Sequence, residues 1–158
     1  AYQKGTAHLS AQSGVELVGS GEAVGDKAGF CTQAKLFKVT AEAFLANPHL
    51  QEEVFGHVSV LVSCADQAQL LAVVRTLKGQ LTGTLQATAA ELATQAELIS
   101  VLRQKVGRLV VNNFPTGVEV CDAMMHGGPF PATSDARSTS VGTEAIYRFT
   151  RPVCWQNF

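Results

Sequence analysis

From His57 onward the chain repeats the order strand, helix, strand, helix, strand, and that rhythm constrains the fold more than any other feature. Val58 to Val62 is a near-continuous apolar run, as a strand buried on both faces requires. Ser63 with Asp66 has the spacing of a capping box for a helix reaching Leu77, with Leu70, Val74 and Leu77 as its apolar stripe. Leu81 to Leu85 is a second strand. Thr88 with Glu91 repeats the capping spacing before one helix carrying Leu92, Ala96, Ile99 and Leu102, which Gly107 closes. Leu109 to Val111 is the third strand. Strands alternating with helices pair in parallel through right-handed crossovers. The expected architecture is therefore α/β, an open, mostly parallel sheet with flanking helices.

The earlier residues fit the same class. Tyr2 to Ser13 reads as a helix stopped at Gly14, and Val15 to Val18 as a short strand. Gly19, Gly21 and Gly25 do not form a phosphate cradle, because no helical pattern follows to present its N-terminus, so they read as a turn. Phe30 to Val39 is strand-like in its second half, with Ala34, Leu36 and in continuation Lys38 on one side and Lys35, Phe37 and Val39 on the other. Thr40 can cap a helix over 41–46, which Pro48 stops. Residues 120–140 have no period and form a long loop, of a kind that is usually functional or lies across another domain. Val141 to Phe149 is a last short helix. At 158 residues the default is a single α/β domain spanning 1–158.

Charge excludes some functions. Only 16% of residues are charged, well below the ~25% usual for a soluble protein, so part of the surface is expected to be an interface. A net charge of -1 without any basic stripe argues against nucleic acid and anionic membrane as partners. No apolar run approaches the ~20 residues of a membrane span, and no signal peptide is evident, so a cytoplasmic protein is expected. Both ends read as truncated. Cysteines at 31, 64, 121 and 154 include no Cys-x-x-Cys pair and read as free thiols.

Two stretches could meet a ligand. In Leu50 to Val58 a carboxylate pair, Phe55 and Gly56 lie where a helical segment gives way to a strand. A carboxylate there can accept hydrogen bonds from two sugar hydroxyls, and a flat ring beside it can cover a planar heterocycle. On spacing alone the commoner outcome is that Glu52 and Glu53 are solvated and Phe55 anchors the core. The second stretch, Asn113 to Gly117, leaves the C-terminal end of a strand, where open α/β sheets place their ligands. A plain Pro-Thr-Gly turn is the alternative.

Glu52-Glu53-Val54-Phe55-Gly56 resembles the Glu-Glu-Val-Phe-Gly-Pro segment of the aldehyde dehydrogenase superfamily, with His57 in place of the proline. The resemblance continues in order through 65–77, 79–85, 107–120 and from His126-Gly127-Gly128-Pro129 onward, covering nearly the whole chain. The runs from Pro115 to Val120 and from Pro131 to Gly142 resemble the subgroup oxidising 2-oxoglutarate semialdehyde, 2,5-dioxopentanoate. The resemblance implies the C-terminal part of the catalytic domain of an NADP-preferring enzyme, although the groups choosing between NADP and NAD lie outside this chain. It implies that Glu53 hydrogen-bonds the nicotinamide ribose, that Phe55 packs nearby, and that Phe114, Pro115 and Val118 form one wall of the aldehyde channel. The nucleophile, base and main dinucleotide-binding domain are expected elsewhere in the parent chain. Residues 1–158 alone are then expected to be inactive and to bind no cofactor, while the family implies a dimer or tetramer.

Phe30-Cys31-Thr32 superficially echoes the family's active-site Cys-Thr, with His57 as a conceivable base. Cys31 lies only 22 positions before Glu53, in a strand that aligns after the active-site loop, so it reads as a structural thiol. His49, His57, Cys64, Cys121 and His126 lack paired ligand spacing apart from Cys121 to His126, so no metal is expected. The competing function is a non-catalytic α/β module acting in self-association or protein binding.

Overall fold

The computed structural model describes residues 1–22 and 31–158. It divides into two compact units, Ala1–Thr76 and Leu77–Phe158. Among the described residues no helix is long and apolar enough to cross a membrane.

The first unit contains α1 (Tyr2–Ser10), β1 (Glu16–Ser20), β2 (Lys35–Thr40), α2 (Ala41–Ala46), a 3-10 turn (Pro48–Gln51), β3 (Val58–Ser63) and α3 (Gln67–Thr76). The sheet order is β1-β2-β3. β2 and β3 run parallel from Lys35 opposite Val58 to Thr40 opposite Ser63. β1 joins antiparallel, with a bulge between Leu17 and Gly19. The alternation read in β2 holds. Phe37 and Val39 are buried while Leu36 and Lys38 face outward. Burying a phenylalanine or valine fully contributes about 1.5–3 kcal/mol, and these two anchor a core shared with Leu9, Phe44, Leu71 and Val74. Thr40 caps α2 as expected, its hydroxyl accepting from the Ala43 amide at 3.3 Å. Pro48 turns the chain into the 3-10 segment, where Asn47 caps by accepting from the His49 amide at 3.1 Å.

Several expectations for this unit need correction. β3 is not buried on both faces: its burial alternates, and Leu61 is 51% exposed. The Leu36 and Leu61 face of the sheet is open in this unit, so the apolar run is one-sided. The α3 cap is Asp66, whose carboxylate accepts from the Gln69 amide at 2.8 Å, while the Ser63 hydroxyl instead donates to the Val39 carbonyl at 3.4 Å. With the helix starting at Gln67 its buried residues are Leu71, Val73 and Val74, whereas Leu70 lies outward and Leu77 lies beyond the helix. Gly19 belongs to β1, and the Gly21 amide extends the pairing by donating to the Ala34 carbonyl at 2.9 Å. Gly25 and Phe30 lie outside the described residues. Cys31 is exposed and precedes β2, so it is neither in a strand nor in the core.

The second unit contains β4 (Gln80–Leu85), α4 (Ala89–Thr94), α5 (Ala96–Leu102), β5 (Val106–Val111) and a 3-10 helix (Thr143–Phe149). β4 and β5 are parallel, with Gln80 opposite Val106 and Leu85 opposite Val111. The capping box at Thr88 and Glu91 forms in both directions. Its helix is not continuous. At Gln95 the backbone leaves the helical region, φ -103 and ψ 29, and its amide donates to Leu92 three residues back. The helix axis restarts in α5, so the buried residues are Leu98 and Leu102 rather than a stripe from Leu92 through Ala96.

Gly107 does not close a helix; it lies inside β5, and α5 ends at Leu102. Its lack of a side chain serves a close approach. A Cβ there would sit 2.0 Å from the Gly127 carbonyl oxygen. From Asn112 to Gly142 there is neither helix nor strand. That loop is pinned by Thr139, 1% exposed, whose hydroxyl accepts from the His126 amide at 2.8 Å and donates to the Val141 carbonyl at 2.7 Å.

Candidate functional site

The first candidate region is the extended stretch between the 3-10 turn and β3. Leu50 is buried and Val54 half-buried, while Glu52, Glu53 and Phe55 are exposed. Phe55 is 76% exposed and does not anchor this unit's core. Glu53 is exposed and makes no hydrogen bond or ion pair among the described residues. Its carboxylate is open to donors from a ligand, and the Phe55 ring is open to a flat partner.

The turn that presents them is held from α1. Gly56 has φ +140, in the region that favours glycine, and a Cβ there would come within 2.3 Å of the Tyr2 ring. Tyr2 in turn donates its phenolic proton to the Gln33 carbonyl. His57, which replaces the family's proline, leaves the pairing undisturbed: its carbonyl accepts from the Lys35 amide at 2.8 Å, just ahead of β3. Tyr2 was not legible as a site residue because it lies over fifty positions away in sequence.

The second region follows β5. Asn112 has φ +52 and stitches the ends of the two parallel strands together. Its side-chain oxygen accepts from the Ala87 amide at 2.9 Å, and its side-chain nitrogen donates to the Ala87 carbonyl at 2.8 Å. The next residues, including Phe114, Pro115 and Val118, are exposed, Phe114 at 78%. Arg108 braces their loop, donating to the Pro115 carbonyl at 2.8 Å and also to the Gly117 carbonyl. Phe114 and Val118 line a depression of about 550 Å³ together with Arg108, Val110 and Met124. Pro115 is not among the residues lining it and only gives its carbonyl to Arg108. Arg108 and Asn112 are the residues that sequence reasoning missed. The slight signal for Asn112 was the asparagine pair at the end of an apolar strand, whose side chain can mimic a backbone pairing, and Arg108 had none.

Each region can bind rather than react. Carboxylate and ring offer a grip on a hydroxylated, planar ligand, and the second depression mixes the apolar Val110, Phe114, Val118 and Met124 with the polar Asn113, Thr116 and Glu119, beside an arginine already engaged with backbone carbonyls. Of the residues weighed as metal ligands, only His49 joins a cluster of three among the described residues, with His8 and Glu52.

No protein-family model matches the chain. Over all 158 residues it is 50% identical to alpha-ketoglutaric semialdehyde dehydrogenase 2 of Azospirillum brasilense, covering 100% of this chain and 30% of that protein. It is 48% identical over 157 residues to alpha-ketoglutaric semialdehyde dehydrogenase of Acinetobacter baylyi, covering 99% of this chain and again 30% of the relative. The chain thus spans about 30% of the length of the curated relatives it matches. In fold it is similar to proline utilization A from Bdellovibrio bacteriovorus, TM-score 0.72 at 23% identity over 98% of this chain and 15% of that one. It is also similar to an aldehyde dehydrogenase from Bacillus cereus, TM-score 0.64 at 17% identity over 96% of this chain and 29% of that one. Over its whole length the chain is thus similar in sequence to about 30% of the length of alpha-ketoglutaric semialdehyde dehydrogenases, and it shares the fold of part of an aldehyde dehydrogenase.

Proposed function

We propose that the chain is the C-terminal part of the catalytic domain of an enzyme that oxidises 2-oxoglutarate semialdehyde to 2-oxoglutarate with NADP or NAD as acceptor. The observation that carries this reading is the 50% identity maintained from end to end with a protein of that name. The nucleotide, when bound, takes the hydride released as the aldehyde carbon is oxidised. Glu53 accepts hydrogen bonds from the nicotinamide ribose, which its exposed carboxylate, unengaged among the described residues, fits. Phe55 packs beside the same group. Phe114, Pro115 and Val118 shape one wall of the aldehyde channel, with Arg108 fixing the loop that holds them. The thiol that attacks the aldehyde and the base that releases the acid are supplied by the remaining parent chain, so residues 1–158 alone have no turnover. The parent is a cytoplasmic dimer or tetramer, and its other parts cover the exposed apolar groups of this segment.

A chimera tests the reading. These 158 residues replace their counterpart in the Azospirillum enzyme, and NAD(P)-dependent oxidation of 2,5-dioxopentanoate is followed by absorbance. Turnover by the chimera, with Glu53→Gln raising the cofactor KM and leaving the aldehyde KM in place, is the expected result. A chimera that folds and assembles yet fails to oxidise the aldehyde, or turnover by residues 1–158 alone, overturns it.

A further inference from the structure

At the edge of the first of these regions, beside Glu53, His8, His49 and Glu52 converge within the first unit. One ligating atom from each, a ring nitrogen from either histidine and a carboxylate oxygen, all lie within 4.8 Å of one another. The two imidazoles meet edge to face with centroids 6.2 Å apart, and His49 Nδ1 lies 2.6 Å from Glu52 Oε1.

Local structure holds these groups together. His49 and Glu52 are three apart across a 3-10 turn, whose period of three places such side chains above one another. Asn47 fixes that turn through the His49 amide and also donates from its side chain to Gln12 Oε1 at 2.7 Å. The Gln12 side-chain nitrogen lies 3.3 Å from His8 Nε2, so one amide links the His8 ring to the turn that carries His49. Gly5, one turn before His8, brings α1 close to the same stretch. A Cβ at that position would meet Val54 Cγ1 at 2.7 Å.

We propose that His8, His49 and Glu52 form a surface site for one divalent cation of the zinc type. Two imidazoles and one carboxylate are a donor set that zinc accepts, with bonds of about 2.0–2.2 Å and water in the fourth position. Cations that require oxygen donors throughout, such as magnesium and calcium, are disfavoured. Two neutral imidazoles and one carboxylate leave the site a single negative charge to set against a dication. The His49 and Glu52 side chains are 62% and 54% exposed, so both can swing the short distance from their mutual hydrogen bond to a shared ion, and the ion can enter from solvent.

The test is calorimetric titration of zinc chloride into the chain carrying Cys31→Ser, Cys64→Ser, Cys121→Ser and Cys154→Ser, which removes competing thiolates. One equivalent binds, and both His8→Ala and His49→Ala lower the affinity by more than the ~100-fold that outer-sphere partners alone can cost. In the proton NMR spectrum of the same protein, zinc shifts the ring signals of His8 and His49 and leaves those of His57 and His126 in place. Circular dichroism checks that each variant stays folded. Absence of saturable binding, or binding that survives either histidine substitution, overturns the proposal; the His49 and Glu52 contact is then an ordinary surface ion pair.

Discussion

Thr139→Val removes one hydroxyl from a residue only 1% exposed and changes its shape little. That hydroxyl accepts from the His126 amide at 2.8 Å and donates to the Val141 carbonyl at 2.7 Å, so the substitution strands that amide and that carbonyl, while the Val141 amide, 3.4 Å from the hydroxyl, is held too weakly to add much. Leaving a buried backbone group unpaired costs about 1–3 kcal/mol. His126 and Val141 are half-buried, and partial access to water puts each near the low end, about 1–1.5 kcal/mol. The methyl that replaces the hydroxyl returns about 0.8 kcal/mol. The net loss is about 1–2 kcal/mol. With a urea slope of about 2 kcal/mol/M, the midpoint of the second unit's unfolding falls by roughly 0.5–1 M. Thr139→Ser is the control: it keeps both hydrogen bonds and gives up only a methyl, about 0.8 kcal/mol or more. Urea titration followed by far-ultraviolet circular dichroism reads both variants. If Thr139→Val unfolds at the parent's midpoint, the hydroxyl does not hold the loop and the account of residues 120–140 is wrong.

Gly107→Ala puts a Cβ 2.0 Å from a backbone oxygen where 3.4 Å is ordinary contact, so β5 or the 127–128 backbone must shift by over an ångström. Overpacking of this kind costs about 1–3 kcal/mol, which lowers the melting temperature by several degrees; an unchanged melt refutes the close approach. Burial, with the charges of Glu42 and Asp66 adding to it, pushes the Cys64 thiol above its ordinary value of 9.0. A raised value keeps the thiol protonated further up the pH scale. Iodoacetamide at pH 8 therefore labels Cys64 more slowly than the exposed Cys31, Cys121 and Cys154, and Glu42→Gln moves the rise in Cys64 labelling to lower pH. Mass spectrometry of the labelled peptides that finds Cys64 among the fastest sites contradicts this.

The features that were legible in the sequence are those set by neighbours in the chain. The capping box at Thr88 and Glu91, the Thr40 cap, the stop at Pro48 and the alternation of Phe37 and Val39 all depend on residues within a few positions. The errors have the opposite origin. Gly107 looked like a helix terminator because glycine commonly ends helices, yet its reason is the Gly127 carbonyl twenty positions away. Ser63 and Asp66 both suit a cap, and only the start of α3 at Gln67 decides between them. At the candidate sites the outward residues Glu53, Phe55, Phe114, Pro115 and Val118 stood out by type and by family resemblance. Their supports, Tyr2, Arg108 and Asn112, act through bonds to distant backbone groups and carry little local signal.

The misreading of β3 has a different cause. Val58-Ser59-Val60-Leu61-Val62 has the composition of a strand covered on both faces, yet Leu61 is 51% and Leu36 40% exposed. The parallel register puts Leu36 opposite Ser59 and Lys38 opposite Leu61, so the two leucines share one face of the sheet. A face with leucines on adjacent strands, in a chain with only 16% charged residues, is costly to leave in water. The same holds at the other end of the chain, where Phe149 is 87% and Trp155 70% exposed. These residue choices are what covered surfaces require, and a segment corresponding to about 30% of its relatives' length is where such surfaces are expected. In the proposed parent enzyme the sequence reading of β3 and the open face seen here are compatible, because burial belongs to the assembled protein and alternation to this part of it.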